Sequence, residues 1–162
     1  LLGDYAFYWG QKQERTPTWF GMLTENGNET EAVDVMHYVW TGQWPDNRTP
    51  RVHGLLLDGK ASNASVVLSA DQQYEAVFDV VDPEDGPLAY RWELKTESSA
   101  TSAGGDYEEP IANLDGYLAD AMAPKTALTA PPPGKYRLFA YAEDDQQHVA
   151  HANIPFLVVD DR

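Results

Sequence analysis

The sequence predicts a mainly β protein, an antiparallel β-sandwich preceded by a short β/α segment. Three observations carry this. After residue 50 the apolar residues alternate with a period of two, in seven short runs separated by turn signals. Before residue 43 one run has the period of a helix instead. Between them "WPDNRTP" (44–50) holds two prolines, an aspartate and an asparagine within seven residues, the composition of a linker or hinge. The chain is therefore divided into a β/α unit at 1–43, a linker at 44–50 and a sandwich at 51–162.

"YAFYW" (5–9) is bulky and lacks clean alternation, as in a strand buried on both faces. A polar loop containing "TPTW" (16–19) follows. "NGNETEAVDVMHYVWTG" then reads as a turn and a helix over 29–40. Asn28 is placed to cap it, with Glu31 completing a capping box. Ala32, Val35, Met36 and Val39 fall at i, i+3, i+4 and i+7 and share one apolar face. Gly42 ends the helix and Pro45 follows. A lone β/α unit cannot bury its own faces, so this one must dock on something.

The strand candidates are "RVHGLLLDG" (51–59), "ASVVLSA" (64–70), "QYEAVFDVVD" (73–82), "LAYRWELKTES" (88–98), "TALTA" (126–130), "GKYRLFAYAED" (134–144) and "HVAHANIPFLVV" (148–159). Tyr74, Ala76, Phe78 and Val80 share a face, as do Leu88, Tyr90, Trp92 and Leu94. Tyr136, Leu138, Ala140 and Ala142 share another, with Phe139 and Tyr141 opposite. "DPEDGP" (82–87) is a tight turn. Residues 98–125 form a connection far longer than a sandwich needs, and such loops are usually functional or mobile.

With no cysteine, disulfides and thiolate metal sites are excluded. No apolar run approaches the ~20 residues of a membrane helix. A net charge of −15 sets aside nucleic acid and disfavours anionic membrane surfaces. It fits an extracellular or periplasmic setting, with neutral ligands, cations or protein as partners. The opening "LLGDYAF" has no basic stretch followed by an apolar one, so it is not a signal peptide. It reads as strand at once, and the expectation is a fragment whose start lies upstream.

Two resemblances add to this reading. "DPEDGPLAYRWEL" and "APPPGKYRLFAYAEDDQQHVAHANIPFLV" resemble immunoglobulin-like accessory modules of the polycystic-kidney-disease and fibronectin type III kind. Tyr136 stands where these folds often tie a loop down through a tyrosine hydroxyl. "GDYAFYWGQKQERTPTWFGML" followed by "TEAVDVMHYVWTG" resembles the last β/α unit of a bacterial glycoside hydrolase TIM barrel. That resemblance implies a polysaccharide-degrading parent enzyme whose catalytic carboxylates, carried by its fourth and seventh strands, lie upstream. It also implies that Trp9, at the end of an eighth strand, floors a sugar subsite. The aromatic and polar block would then be a strand-end loop, where barrels bind substrate.

Glycoside hydrolysis takes a pair of carboxyl groups. Glu14 is the only carboxylate within the aromatic block, so no catalytic residue is assigned in this chain. Glu14 either contacts substrate or pairs with Lys12 or Arg15. Trp9 and Trp19 either stack on sugar rings or pack in a core. Trp9, Gln11, Glu14 and Trp19 are the substrate-binding candidates. Asp82, Asp85 and Asp145, in "DPEDG" and "EDDQQ", are candidate calcium ligands, although both stretches are also good turn sequences. No zinc spacing, P-loop, Rossmann or nucleophile-elbow motif occurs. The expected function is a non-catalytic C-terminal region of a secreted polysaccharide-degrading enzyme, with polysaccharide or the upstream barrel as partner. The alternative is an independent carbohydrate-binding or calcium-dependent adhesion module.

Overall fold

Alternation decides the architecture. The computed structural model describes residue 3, residues 5–101 and residues 104–160. The period-two runs form β1 (Arg51–Leu57), β2 (Val66–Ser69), β3 (Gln73–Val81), β4 (Ala89–Thr96), β5 (Lys125–Thr129), β6 (Gly134–Glu143) and β7 (Val149–Val159). A three-stranded antiparallel sheet has the order β1-β3-β5, and a four-stranded sheet the order β2-β7-β6-β4, with β2 parallel to β7. In immunoglobulin terms these are strands A, B and E facing A′, G, F and C. The predicted fold class is therefore the observed one.

The inward faces are those that the alternation gave. Phe78, Leu94, Leu128, Leu138 and Ile154 are fully buried between the sheets, and each such side chain contributes about 1.5–3 kcal/mol by leaving water. Trp92, on strand C, lies edge-on to Phe78 at 6.2 Å, and its indole N–H donates to the Ala123 carbonyl at 2.8 Å. Tyr136, at the start of strand F, donates its hydroxyl to the Pro132 carbonyl at 2.8 Å. This is the tyrosine corner of the class. A bulge between Val52 and Gly54 shifts the β1–β3 register.

The long connection after β4 takes the place of strand D. Its second half is not free. Leu94 N–H donates to Asn113 Oδ1 at 2.8 Å, and Leu114 N–H to the Leu94 carbonyl at 2.7 Å. Trp92 N–H reaches the Ala121 carbonyl (3.1 Å), and on the other side Thr129 N–H reaches that of Tyr117 (2.8 Å). Residues 113–124 thus lace the open edge of β4 to the open edge of β5. Leu114, Tyr117, Leu118 and Ala121 pack against the core from that side.

The N-terminal half differs from expectation in three respects. Residues 5–9 form no strand: a strand needs a hydrogen-bonded neighbour, and among the described residues the first backbone bond reaching this stretch is the one Gly10 accepts from Leu23 N–H at 3.2 Å. The helix α1 (Glu31–Thr41) begins at Thr30, not Asn28, and the expected capping box is absent: Thr30 Oγ1 donates to the Met22 carbonyl at 2.9 Å instead. Gly42 closes the helix as expected, with φ +75° and its N–H on the Tyr38 carbonyl. The third difference is burial. Ala32, Val35 and Val39, from the apolar face, are exposed, and the helical residue that is buried is Asp34.

Residues 13–30 lie over the outer face of the four-stranded sheet. Glu29 joins the end of the β6–β7 hairpin, accepting from Val149 N–H at 2.8 Å and donating to the Gln147 carbonyl at 2.9 Å. Phe139, Tyr141 and Val149 form a small buried cluster on this outer face. Pro17, Thr18 and Thr24 share a crevice with Tyr141.

Candidate functional site

The block from Tyr5 to Leu23 is placed by two anchors. One is Gly21, whose missing side chain lets residues 10 and 21 cross: a Cβ there would stand 2.7 Å from the Gly10 carbonyl oxygen. The other is a tight reversal at residues 14–16. Thr16 N–H donates to the Glu14 carbonyl at 2.6 Å and Glu14 N–H to that of Thr16 at 3.1 Å, with Arg15 at φ +60°. Lys12 Nζ then lies 3.1 Å from Glu14 Oε2. Of the two partners its setting offers, Lys12 and Arg15, Glu14 pairs with Lys12. In the structure Glu14 also lines a cleft of about 660 Å³ together with Phe7, Tyr8, Lys12, Phe20, Gly104 and Gly105.

The other candidates fall around this cleft without lining it. Gln11 Nε2 donates to the Pro17 carbonyl at 3.2 Å, closing its own loop. Trp9, 56 % exposed, stacks on Trp40 of α1 at 6.0 Å. Trp19, 61 % exposed, stacks on Phe20 at 5.5 Å. Neither tryptophan is in a core. Phe7 and Phe20 meet at 5.5 Å and form the apolar side of the cleft. Phe7, Tyr8 and Phe20 were legible as part of an aromatic block, but nothing in their spacing distinguished them from the two tryptophans.

Glu108 gave no signal in the sequence. Buried on residues 13–16, it accepts from Arg15 N–H at 3.0 Å, Ser98 Oγ at 2.6 Å and Gln13 Nε2 at 3.4 Å. The Ser98 hydroxyl, followed by the Arg15 amide, holds its carboxyl below the usual glutamate range.

In the acidic turns Asp82 and Asp144 are bonded to the backbone. Asp82 Oδ1 accepts from Glu84 N–H at 2.8 Å, and its other oxygen lies 2.7 Å from where a Cβ on Gly86 would stand. Asp85 takes φ +57° in the same turn. Glu84 accepts from Arg48 N–H at 3.1 Å. In the hairpin, Asp144, next to the candidate Asp145, accepts from the His148 and Gln146 amides at 2.8 Å and from Asn47 Nδ2 at 2.7 Å. Burial opposes its ionisation, but these bonds outweigh it and keep the carboxyl below the usual range. Among the described residues no group of three or more His, Cys, Asp or Glu side chains is arranged to hold a metal ion.

At the linker, Asp34 is 1 % exposed and accepts from Thr49 N–H at 2.8 Å and from Arg48 Nε at 3.3 Å. The Arg48 guanidinium lies 3.8 Å over the Trp44 ring, and Trp44 stacks on Tyr38 at 4.5 Å.

Two sheets, a buried tryptophan on strand C and the tyrosine corner define an immunoglobulin-like sandwich. No protein-family model matches the sequence, and no curated protein matches it. Among solved structures, a nucleoside hydrolase-related hypothetical protein of Saccharophagus degradans, described as associated with carbohydrate metabolism, shares 14% identity over 71% of this chain, at a TM-score of 0.42. This chain spans 26% of that protein's length. The PKD1 domain of Vibrio anguillarum Epp is 14% identical, covers 72% of this chain and is matched over 100% of its own length, at a TM-score of 0.41. The soluble domain of PmoD from Methylocystis is 10% identical, with 72% of this chain and 95% of that chain covered and a TM-score of 0.36. At such scores these likenesses carry no argument about function. No helix among the described residues is long and apolar enough to cross a membrane.

Proposed function

We propose that this chain is the non-catalytic C-terminal region of a secreted polysaccharide-degrading glycoside hydrolase, acting outside the cell or in the periplasm. Residues 1–43 are the last β/α unit of its catalytic barrel, and residues 51–162 an accessory sandwich. The observation that carries this reading is the inverted burial of α1. A helix in a self-sufficient domain turns its apolar face inward. Here Asp34 is buried while Val35, Tyr38, Val39 and Trp40 are 42–54 % exposed, beside the open Trp9 and Trp44. A contiguous apolar surface of this kind marks an interaction site. A preceding barrel covers it, and the same barrel supplies the neighbours that "YAFYW" needs to become a strand. The block from Tyr5 to Leu23 then stands at the substrate mouth.

The test is hydrolysis. The polypeptide including the encoded upstream region, about 250 residues of β/α periodicity, is incubated with neutral β-glucans and algal polysaccharides alongside this chain. Reducing sugar released by the longer protein and not by this chain is the expected result. Turnover by this chain alone, or an upstream sequence without β/α periodicity, overturns the reading.

A further inference from the structure

The reversal at residues 14–16 is costly. A hydrogen bond from residue i+2 back to i, with a positive φ between, is a γ-turn of the rare, strained kind. Arginine, with its Cβ, gains nothing from φ +60°. Such strain, of order 1–3 kcal/mol, persists only where the surroundings over-determine it. The structure shows what does so. Glu108 lies 93 residues further along the chain and takes the Arg15 amide on one oxygen, while Ser98 and Gln13 share the other. The Arg15 guanidinium also donates to the Ala100 carbonyl. Both Gln13 and Glu108 are 8 % exposed. The sandwich's long connection thus reaches back and fixes a turn that its own fold does not need.

On the far side of that turn stands the cleft. Lys12 and Glu14 make its polar wall and Phe7, Tyr8 and Phe20 its apolar one. Aromatic faces opposite a hydrogen-bonding pair suit a sugar ring, which has apolar C–H faces and a polar rim. The chain's net charge of −15 favours a neutral glycan over an anionic one.

We propose that Glu108 is a positioning residue for a neutral oligosaccharide subsite. It locks the Glu14–Thr16 turn and thereby aims the Lys12–Glu14 pair into the Phe7–Tyr8–Phe20 cleft. The proposal rests on the reading above that this block faces polysaccharide, and it gives the accessory sandwich a part in substrate binding.

The experiment uses the complete polypeptide with a soluble neutral β-glucan. Glu108→Ala raises KM about ten-fold, the scale of one lost hydrogen bond to a charged group, and leaves kcat within about two-fold. Glycine takes a positive φ without strain, so Arg15→Gly rebuilds the turn without its clamp. The double variant Arg15→Gly/Glu108→Ala returns most of the lost KM. A merely structural role for Glu108 is not rescued in this way. An unchanged KM in Glu108→Ala, or no recovery in the double variant, overturns the proposal. Affinity electrophoresis in the same glucan separates this from the hydrolase reading. If the wild-type polypeptide has no turnover, the hydrolase reading fails. Retardation of wild type that is lost in Glu108→Ala still upholds the subsite, and no retardation of wild type overturns it.

Discussion

At Tyr136 one hydroxyl closes the corner between β5 and β6 by donating to the Pro132 carbonyl at 2.8 Å. Tyr136→Phe keeps the ring, which stacks on Phe156 at 5.7 Å, and removes only the donor. The expected loss is about 1 kcal/mol in a urea titration, with the slope of the transition unchanged. Asp34 is costlier to remove. Its carboxylate is the partner of both the Thr49 amide and Arg48, so Asp34→Ala leaves a buried donor and a cation unmatched. The expected cost is roughly 3 kcal/mol, the range for breaking a buried pair. Limited proteolysis should then cut first between residues 41 and 50. Two further carboxylates bear on stability in acid. Glu108 and Asp144 both have folded values below their ordinary ones. Their contribution is therefore fully present at neutral pH and is lost as pH falls below about 4, through the folded values. Glu108→Gln should flatten part of the fall in melting temperature between pH 5 and pH 3, measured as a melt at each pH. If the variant and wild type lose stability in parallel over that range, Glu108 is not a linked group.

Among the elements, the seven strands were legible because each turns alternate residues into the core between the sheets, and that burial writes a period of two into the sequence, although β6 also buries Phe139 and Tyr141 on its outer face. Trp92 and Tyr136 could be singled out because a buried aromatic with a polar tip demands a partner. The helix was legible in its period and its Gly42 stop, but not in its direction of packing. Periodicity reports that an apolar face exists and is silent on which body covers it. "YAFYW" misled for the same reason, since bulk on both sides describes a central strand only where two neighbours are present. The connection after β4 was hidden for a different reason. Residues 113–124 hold the sheets through backbone bonds to Leu94, Trp92 and Thr129, and backbone bonds leave little trace in residue type. The cleft was half legible. Glu14 stood out as the carboxylate among aromatics, whereas Glu108 reaches Gln13 and Arg15, behind the cleft, only through the fold. Trp92→Ala tests the core element directly: with Phe78 losing its edge contact and the Ala123 carbonyl its donor, the expected cost is about 3–5 kcal/mol.

At the scale of the whole molecule three layers follow one another: the three-stranded sheet, the four-stranded sheet and the N-terminal segment over Phe139, Tyr141 and Val149. Each of the first two is covered on its inner side by the other. The third is held to the sandwich by Glu29 and Glu108, its helix is tied to the linker by Asp34, and it presents its aromatic residues outward. Residues 51–162 expressed alone should melt cooperatively, because the sandwich core lies entirely within them. Their melting temperature should fall by more than about 4 °C from that of the whole chain, because the outer cluster loses its cover. A non-cooperative melt would place part of the fold's support in the first fifty residues. The central claim is that the outward face of α1 is an interface for an upstream body, and amide exchange reads it without substrate. In this chain, residues 5–9 and 31–41 should exchange faster than β6 and β7, as elements lacking cover do. In the polypeptide with the upstream region, both segments should slow to the rate of the strands. Equal exchange of 31–41 in the two proteins would contradict the account, because a face that gains no protection has no barrel on it.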